Sequence, residues 1–265
     1  MEKIAIIDCG TNTFHLLIVS VDGKKYKVET KFKQPVKIGE GGIENKIINE
    51  SAQKRGLDAL LFFKQKIEEY NVKKIKATAT SAFRNATNGQ KFRDEIAIKT
   101  GINIDIISGD REAELIYKGV KTALKMDNSP ELIMDIGGGS VEFILCNTNQ
   151  IFWKHSFEIG AQRLLDKFHN ADPILNSEIN KLNTYLETQL IPLFNALEKH
   201  PTSVLIGSSG TFDTVSEIYF KREKPSFKIA EHPSWEIPLH AFYEAHKLFT
   251  TKNKEERLLI PGMVP

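Results

Sequence analysis

The sequence has little cysteine, little tryptophan and almost no net charge. Its two cysteines, Cys9 and Cys146, each lie inside a strand-like apolar run, so no disulfide framework is implied and a reducing cytoplasm is the simplest home. A formal charge of +2 over 265 residues excludes the broad basic footprint of a nucleic-acid binder. No apolar run approaches the ~18 residues that a membrane span needs, so no membrane partner is expected. The N-terminus runs straight into a strand, without the basic and apolar regions of a signal peptide. A Gly-x-x-x-x-Gly-Lys-Ser/Thr sequence is absent, which excludes P-loop nucleotidases. His169, His200, His232, His240 and His246 share no metal-ligand spacing.

The informative stretch is Glu131 to Leu145: an apolar strand ending at Asp135, three glycines (Gly137, Gly138, Gly139), Ser140, and a second apolar run carrying Glu142. A turn so rich in glycine leaves backbone N–H groups unshielded by any Cβ, able to close on a phosphate oxyanion. A hairpin brings Asp135 and Glu142 to one mouth, where a divalent cation could bridge them to phosphate oxygens. The N-terminus repeats this grammar, with Asp8, Gly10, Thr11, Asn12 and Thr13 between two apolar runs. The two Asp-x-Gly loops are offset by 127 residues, about one domain length, which suggests two related domains that each offer a phosphate loop.

Along the chain, strands are expected at 3–9, 14–21 and 25–33, with a turn at Asp22–Gly23. The third strand belongs to a lysine-rich segment, Lys24 to Lys37, which reads either as an edge strand kept from pairing or as a rail for a polyanion. A helix is expected over Ser51–Tyr70, capped by Ser51, its apolar face on Leu57, Leu60, Leu61, Ile67 and Tyr70 and weakened by Gly56. A strand at 74–81 feeds a helix start bearing Arg84, whose guanidinium suits a phosphate but equally suits the surface. A strand at 103–107 runs into a helix whose first turns carry Glu112 and Glu114, either candidate acids or charges favouring the helix dipole. The second domain opens at about residue 123, so the domains are 1–122 and 123–265. It continues with a strand near 151–157, a helix after Glu158, a long helix over 177–198 kinked by Pro192, and a strand leading to the loop Gly207, Ser208, Ser209, Gly210 and Thr211. A helix over 238–250 follows, and the last apolar stretch, Leu258–Pro265, has no cap and no closing helix.

Five motifs in this order resemble the exopolyphosphatase / guanosine pentaphosphate phosphohydrolase (Ppx/GppA) family. They are Asp8–His15, Ala79–Asn88, Ile107–Ala113, Asp135–Glu142 and Gly207–Thr211. The resemblance covers nearly the whole chain. It implies an α/β, ribonuclease H-like, actin-type fold of two duplicated domains with the active site in the cleft between them. It also implies an enzyme that releases terminal orthophosphate from inorganic polyphosphate or guanosine pentaphosphate, the latter placing it in the stringent response. By the same resemblance Glu112 activates water, Asp135 and Glu142 hold Mg²⁺, and the glycine loops with Arg84 hold phosphate. A homodimer is a family-level expectation. The chain departs from the pattern in lacking the long C-terminal region of larger members and in stopping before the family's last helix. The competing readings are an actin-like kinase, for which no acceptor-facing Asp is found, and a non-catalytic nucleotide sensor.

Overall fold

The computed structural model describes residues 2–23 and 25–263, which form two compact units. The first comprises the chain up to Glu112 together with Gly137–Ser140 and Gly160–Arg163; the second holds Ala113–Ile136, Val141–Ile159 and the chain from Leu164 on. No helix among the described residues is long and apolar enough to cross a membrane.

The first unit is built on β1 (Glu2–Cys9), β2 (Thr13–Asp22) and β3 (Lys25–Pro35), followed by α1 (Glu50–Glu69), β4 (Lys74–Ala79), α2 (Ser81–Asn85), α3 (Gly89–Thr100) and β5 (Ile104–Ile106). Its sheet runs β3-β2-β1-β4-β5, antiparallel through the two hairpins and parallel from β1 to β5. Strand alternation decides what faces what: Ala5, Ile7 and Cys9 of β1 and Phe14, Leu16 and Ile18 of β2 are buried, which puts Asp8 and His15 on the opposite face. The core is completed by Leu60, Phe63, Phe83, Phe92 and Ile96 from the helices, with the Phe83 and Phe92 rings stacked. β3 is an edge strand and its lysines are exposed.

Two details of α1 differ from the sequence reading. Its cap is Asn49, whose side chain accepts from the Ala52 N–H, and Ser51 sits inside the helix with its hydroxyl on Asn49. The buried face is Ala52, Gly56, Ala59, Leu60, Phe63 and Ile67, while Leu61 is exposed. The small residues let the helix lie close: a Cβ on Gly56 would stand 3.0 Å from Ile38 and 3.3 Å from Phe92.

α4 (Gly109–Ala123) leads into the second unit, whose strands are β6 (Glu131–Ile136), β7 (Val141–Cys146) and β8 (Ile151–Phe157). Then come α5 (Ala161–Phe168), α6 (Asn176–Gln189), α7 (Ile191–Lys199), β9 (Leu205–Ser208), α8 (Gly210–Glu223), α9 (Leu239–Thr251) and α10 (Lys254–Leu258). Sheet order is β8-β7-β6-β9, with β6 antiparallel to β7 and parallel to β9. This is the order β3-β2-β1-β4 over again, so the duplication read from two loops extends to the strand topology, and the fold is of the actin type. β7 is buried at all six positions because both faces are covered. Leu132, Phe143 and Leu145 pack with Leu193 and Ala196 of α7, and Ile133, Ile144 and Cys146 pack with Ala113 and Tyr117 of α4.

The helix expected over 177–198 is two helices that meet at Leu190. Pro192 opens α7 in its first turn, where the missing N–H is not needed, instead of kinking a continuous rod. The short α10 was not anticipated, although Asn253 and Glu256 form a reciprocal capping box legible as Asn-x-x-Glu. The stretch after it holds no further helix within the described residues, and 264–265 lie outside them.

Candidate active site

The two Asp-x-Gly loops close with the same bond. Gly10 N–H donates to Thr13 O at 3.2 Å and Gly137 N–H donates to Ser140 O at 3.0 Å. Beyond that bond, each loop has its carbonyls held from behind by the chain that leaves the third strand of its sheet. After β3, the N–H groups of Val36 and Lys37 donate to Asn12 O at 2.9 and 2.8 Å, and that of Ile38 donates to Thr11 O at 2.7 Å. After β8, Ala161 N–H donates to Gly137 O at 2.9 Å, Gln162 N–H to Gly138 O at 2.8 Å and Gly160 N–H to Gly139 O at 3.2 Å. In a trans peptide the next N–H points opposite to the carbonyl. The N–H groups of Asn12 and Thr13, and those of Gly138, Gly139 and Ser140, are therefore turned away from their braces, as a phosphate-binding nest requires.

Both loops belong to the first unit and are packed to contact. A Cβ on Gly138 would stand 2.8 Å from the Asn12 amide, and one on Gly139 would stand 2.5 Å from Ser81 Oγ and 2.6 Å from Thr11 Oγ1. The glycines at 138 and 139 serve this approach as much as any ligand. Asn12 Oδ1 is buried without a hydrogen-bond partner, an acceptor that a bound group with a donor would satisfy.

The same unit pairs the two residues singled out around the loops. Arg84, from α2, donates through Nη1 to Glu112 Oε2 at 3.1 Å and to Ile107 O at 3.1 Å, with both side chains largely buried. Glu112 stands in the first turn of α4, which Ser108 caps by accepting from Arg111 N–H. The pair fixes the orientation of the Glu112 carboxyl group. Glu114, two residues on, turns to Lys154 at 2.6 Å. The two acids of this helix start thus have different partners.

In the second unit, Asp135 and Glu142 are direct cross-strand partners and so share one face of the sheet. The row extends to Ser156 on β8 and Ser208 on β9, giving Ser156–Glu142–Asp135–Ser208 across four strands. Ser156 Oγ donates to Glu142 Oε1 at 2.6 Å, and Glu142 is almost wholly buried. Burial raises the Asp135 pKa above the ordinary carboxylate range, and a hydrogen bond with Ser208 draws it part-way back. A desolvated carboxylate beside a second one is stabilised by a cation. No cluster of three or more His, Cys, Asp or Glu side chains suited to a metal occurs among the described residues. The donor set nevertheless fits Mg²⁺, which uses one or two carboxylates and completes its shell with water and phosphate oxygens.

In the third loop, Gly207 is required by packing, since a Cβ there would meet the Phe212 ring at 2.1 Å. Ser208 joins the Asp135 row, while Ser209 holds a positive φ of 79° at the start of α8 and donates to Ile136 O. Gly210 and Thr211 open that helix. Neither cysteine offers a nucleophile. Burial and then the Asp8 charge push the Cys9 thiol well up, and burial followed by the Glu131 charge takes Cys146 to about 12.

The sequence reading missed the braces, the Ser156 that steadies Glu142, and Arg163, which donates to Gly139 O. The topological repeat was the available signal. Once the loops are aligned, the segment after the third strand of each sheet falls in the same place.

Comparison with known proteins agrees over most of the chain. The model of the Ppx/GppA phosphatase family matches residues 17–265. The chain is similar to the crystal structure of an exopolyphosphatase from Cytophaga hutchinsonii, with a TM-score of 0.95 and 40% identity over 99% of this chain and 84% of that one. A Haemophilus influenzae protein provisionally named exopolyphosphatase is 28% identical over 218 residues, 82% of this chain and 67% of its own length. A bifunctional 3-dehydroquinate synthase/phosphatase of Fusobacterium nucleatum is 35% identical over 230 residues, 83% of this chain and 34% of its own length.

Proposed function

Because the chain belongs to the Ppx/GppA phosphatase family, we propose that it hydrolyses a terminal phosphoanhydride, releasing orthophosphate from inorganic polyphosphate, from guanosine pentaphosphate or from both. The observation that carries this reading is the pair of glycine loops whose carbonyls at Thr11 and Asn12, and at Gly137, Gly138 and Gly139, are turned back onto braces, so that the N–H groups that follow them face the other way. Such donors neutralise the equatorial oxygens of a phosphoryl group in transfer, where charge stabilisation and positioning do most of the work. The N–H groups of Asn12 and Thr13 and of Gly138, Gly139 and Ser140 hold the phosphate oxygens, in loops that Gly10 and Gly137 close. Glu112, oriented by Arg84, takes a proton from the water that attacks the terminal phosphorus. The bond to the bridging oxygen breaks, and the shortened chain leaves with that oxygen. Asp135 and Glu142 would hold Mg²⁺, which supplies charge neutralisation for the phosphate oxygens when bound.

The test is phosphate release by the purified protein with Mg²⁺, offered tripolyphosphate, long-chain polyphosphate, guanosine pentaphosphate and ATP in parallel. Release from at least one of the first three, faster than from ATP, is expected and identifies the substrate. Turnover of ATP alone, or of none, overturns the proposal.

A further inference from the structure

We infer that Arg163 is a positioning residue for the loop Gly137–Ser140, acting on phosphate only through the backbone it clamps. This rests on the hydrolase reading for its consequence in turnover, but the clamp itself stands on geometry within the first unit. Arg163 lies in the first turn of α5. Its Nε donates to Gly139 O at 2.8 Å and its Nη1 to Ile43 O at 3.3 Å, so one planar guanidinium ties together carbonyls from segments far apart in sequence. The Gly139 carbonyl also accepts from Gly160 N–H. It is therefore gripped twice, and this carbonyl fixes the plane of the peptide that aims the Ser140 N–H.

Three successive glycines have the widest conformational freedom of any tripeptide, so they form a nest only where something outside them imposes it. The braces do so at every residue: Gly137, Gly138 and Gly139 each have their carbonyl on an N–H of Gly160–Gln162. Gly160 has no alternative at this closeness, because a Cβ there would stand 2.4 to 2.5 Å from backbone atoms of Gly138 and Gly139. The leading N–H groups of α5 are thus spent on the loop, and this helix start is a support instead of an anion site. Arg163 adds a side-chain bond to the backbone braces, and it anchors the assembly to the segment that follows the first brace. A lysine keeps the charge but reaches one carbonyl at a time, so the fork and not the charge is what the site uses.

Arg163→Met and Arg163→Lys test this, with two independent readouts. Amide hydrogen exchange, measured without substrate, is expected to speed up in Arg163→Met at Gly160–Gln162, whose N–H groups lose their fixed acceptors, with exchange in α1 and α3 unchanged. Turnover of the substrate identified above is expected to fall on the order of 10- to 100-fold in kcat/KM, mostly in kcat, since misplacing donors by about 1 Å costs that much. Arg163→Lys should recover part of both effects. Where Arg163→Met does not fold, Arg163→Lys carries the test with a smaller exchange change at the same residues and a smaller kinetic loss. Unchanged exchange at 160–162, or faster exchange with unchanged kcat in an active enzyme, overturns the inference. Faster exchange in Arg163→Met, together with a wild-type protein that hydrolyses no polyphosphate or guanosine pentaphosphate, instead overturns the hydrolase reading and leaves the clamp standing.

Discussion

The two units carry the same hairpin and use it differently. Across four strands of the first sheet the row level with Asp8 reads Lys33–His15–Asp8–Thr78; across the second, level with Asp135, it reads Ser156–Glu142–Asp135–Ser208. The partner of the loop aspartate is an imidazole in one and a carboxylate in the other. Partial desolvation, and then Lys33 directly opposite, lower the His15 pKa, so the first row offers a neutral ring and an ammonium beside a single carboxylate. The second offers two carboxylates and two hydroxyls. Duplication supplied two loops closed by the same bond; one residue per hairpin distinguishes the proposed cation row from its counterpart.

The first way to break this comparison is to remove the distinguishing carboxylate. Glu142→Gln should weaken Mg²⁺ binding by at least 10-fold in calorimetry and abolish the Mg²⁺-dependent rise in melting temperature, whereas His15→Asn should change Mg²⁺ affinity by no more than about 2-fold. Equal effects at the two positions would mean that the rows are not specialised. The braces give the next contrast. An alanine at Gly160 meets backbone, while one at Gly39 meets the side chains of Thr11 and Ile43, which can shift. Gly160→Ala should therefore cost about 1–3 kcal/mol in denaturant unfolding and Gly39→Ala less.

Arginines sharpen the contrast further. Arg55 donates to Val36 O and Lys37 O, gripping the first brace and not the loop itself, whereas Arg163 reaches Gly139 directly. Arg55→Met should then reduce kcat/KM several-fold less than Arg163→Met. The smallest effect concerns Asp135 without a cation. Its raised pKa means that the folded protein keeps the proton to higher pH than the unfolded chain. The ionised carboxylate therefore costs stability above the ordinary carboxylate range, and the cost is absent at lower pH. Cation-free Asp135→Asn should melt higher than wild type at pH 8, by a margin that vanishes toward pH 4, and should gain nothing from Mg²⁺.

Much of this was legible in the sequence because glycine and alternation are local signals. The 127-residue offset between Asp8 and Asp135 foretold a duplication that the strand order bears out, and period-two burial placed Asp8 away from the core. Bonds between distant segments were not legible. Nothing near Gly160 announces that its N–H serves Gly139, and nothing near Arg84 shows that its guanidinium faces Glu112. Element ends failed where two signals competed, as when Asn49 and not Ser51 capped α1, or when Pro192 opened a helix that periodicity alone would have continued.

Replacing the base and comparing rate with binding tests the central claim most directly. Glu112→Gln keeps the shape and removes the proton acceptor. With the substrate identified for the wild type, kcat should fall by about 10² to 10⁴-fold while its Kd by calorimetry stays within about 2-fold. A variant that turns over at the wild-type rate, or one that loses binding in proportion to rate, would contradict the assignment of Glu112 as the residue that activates water.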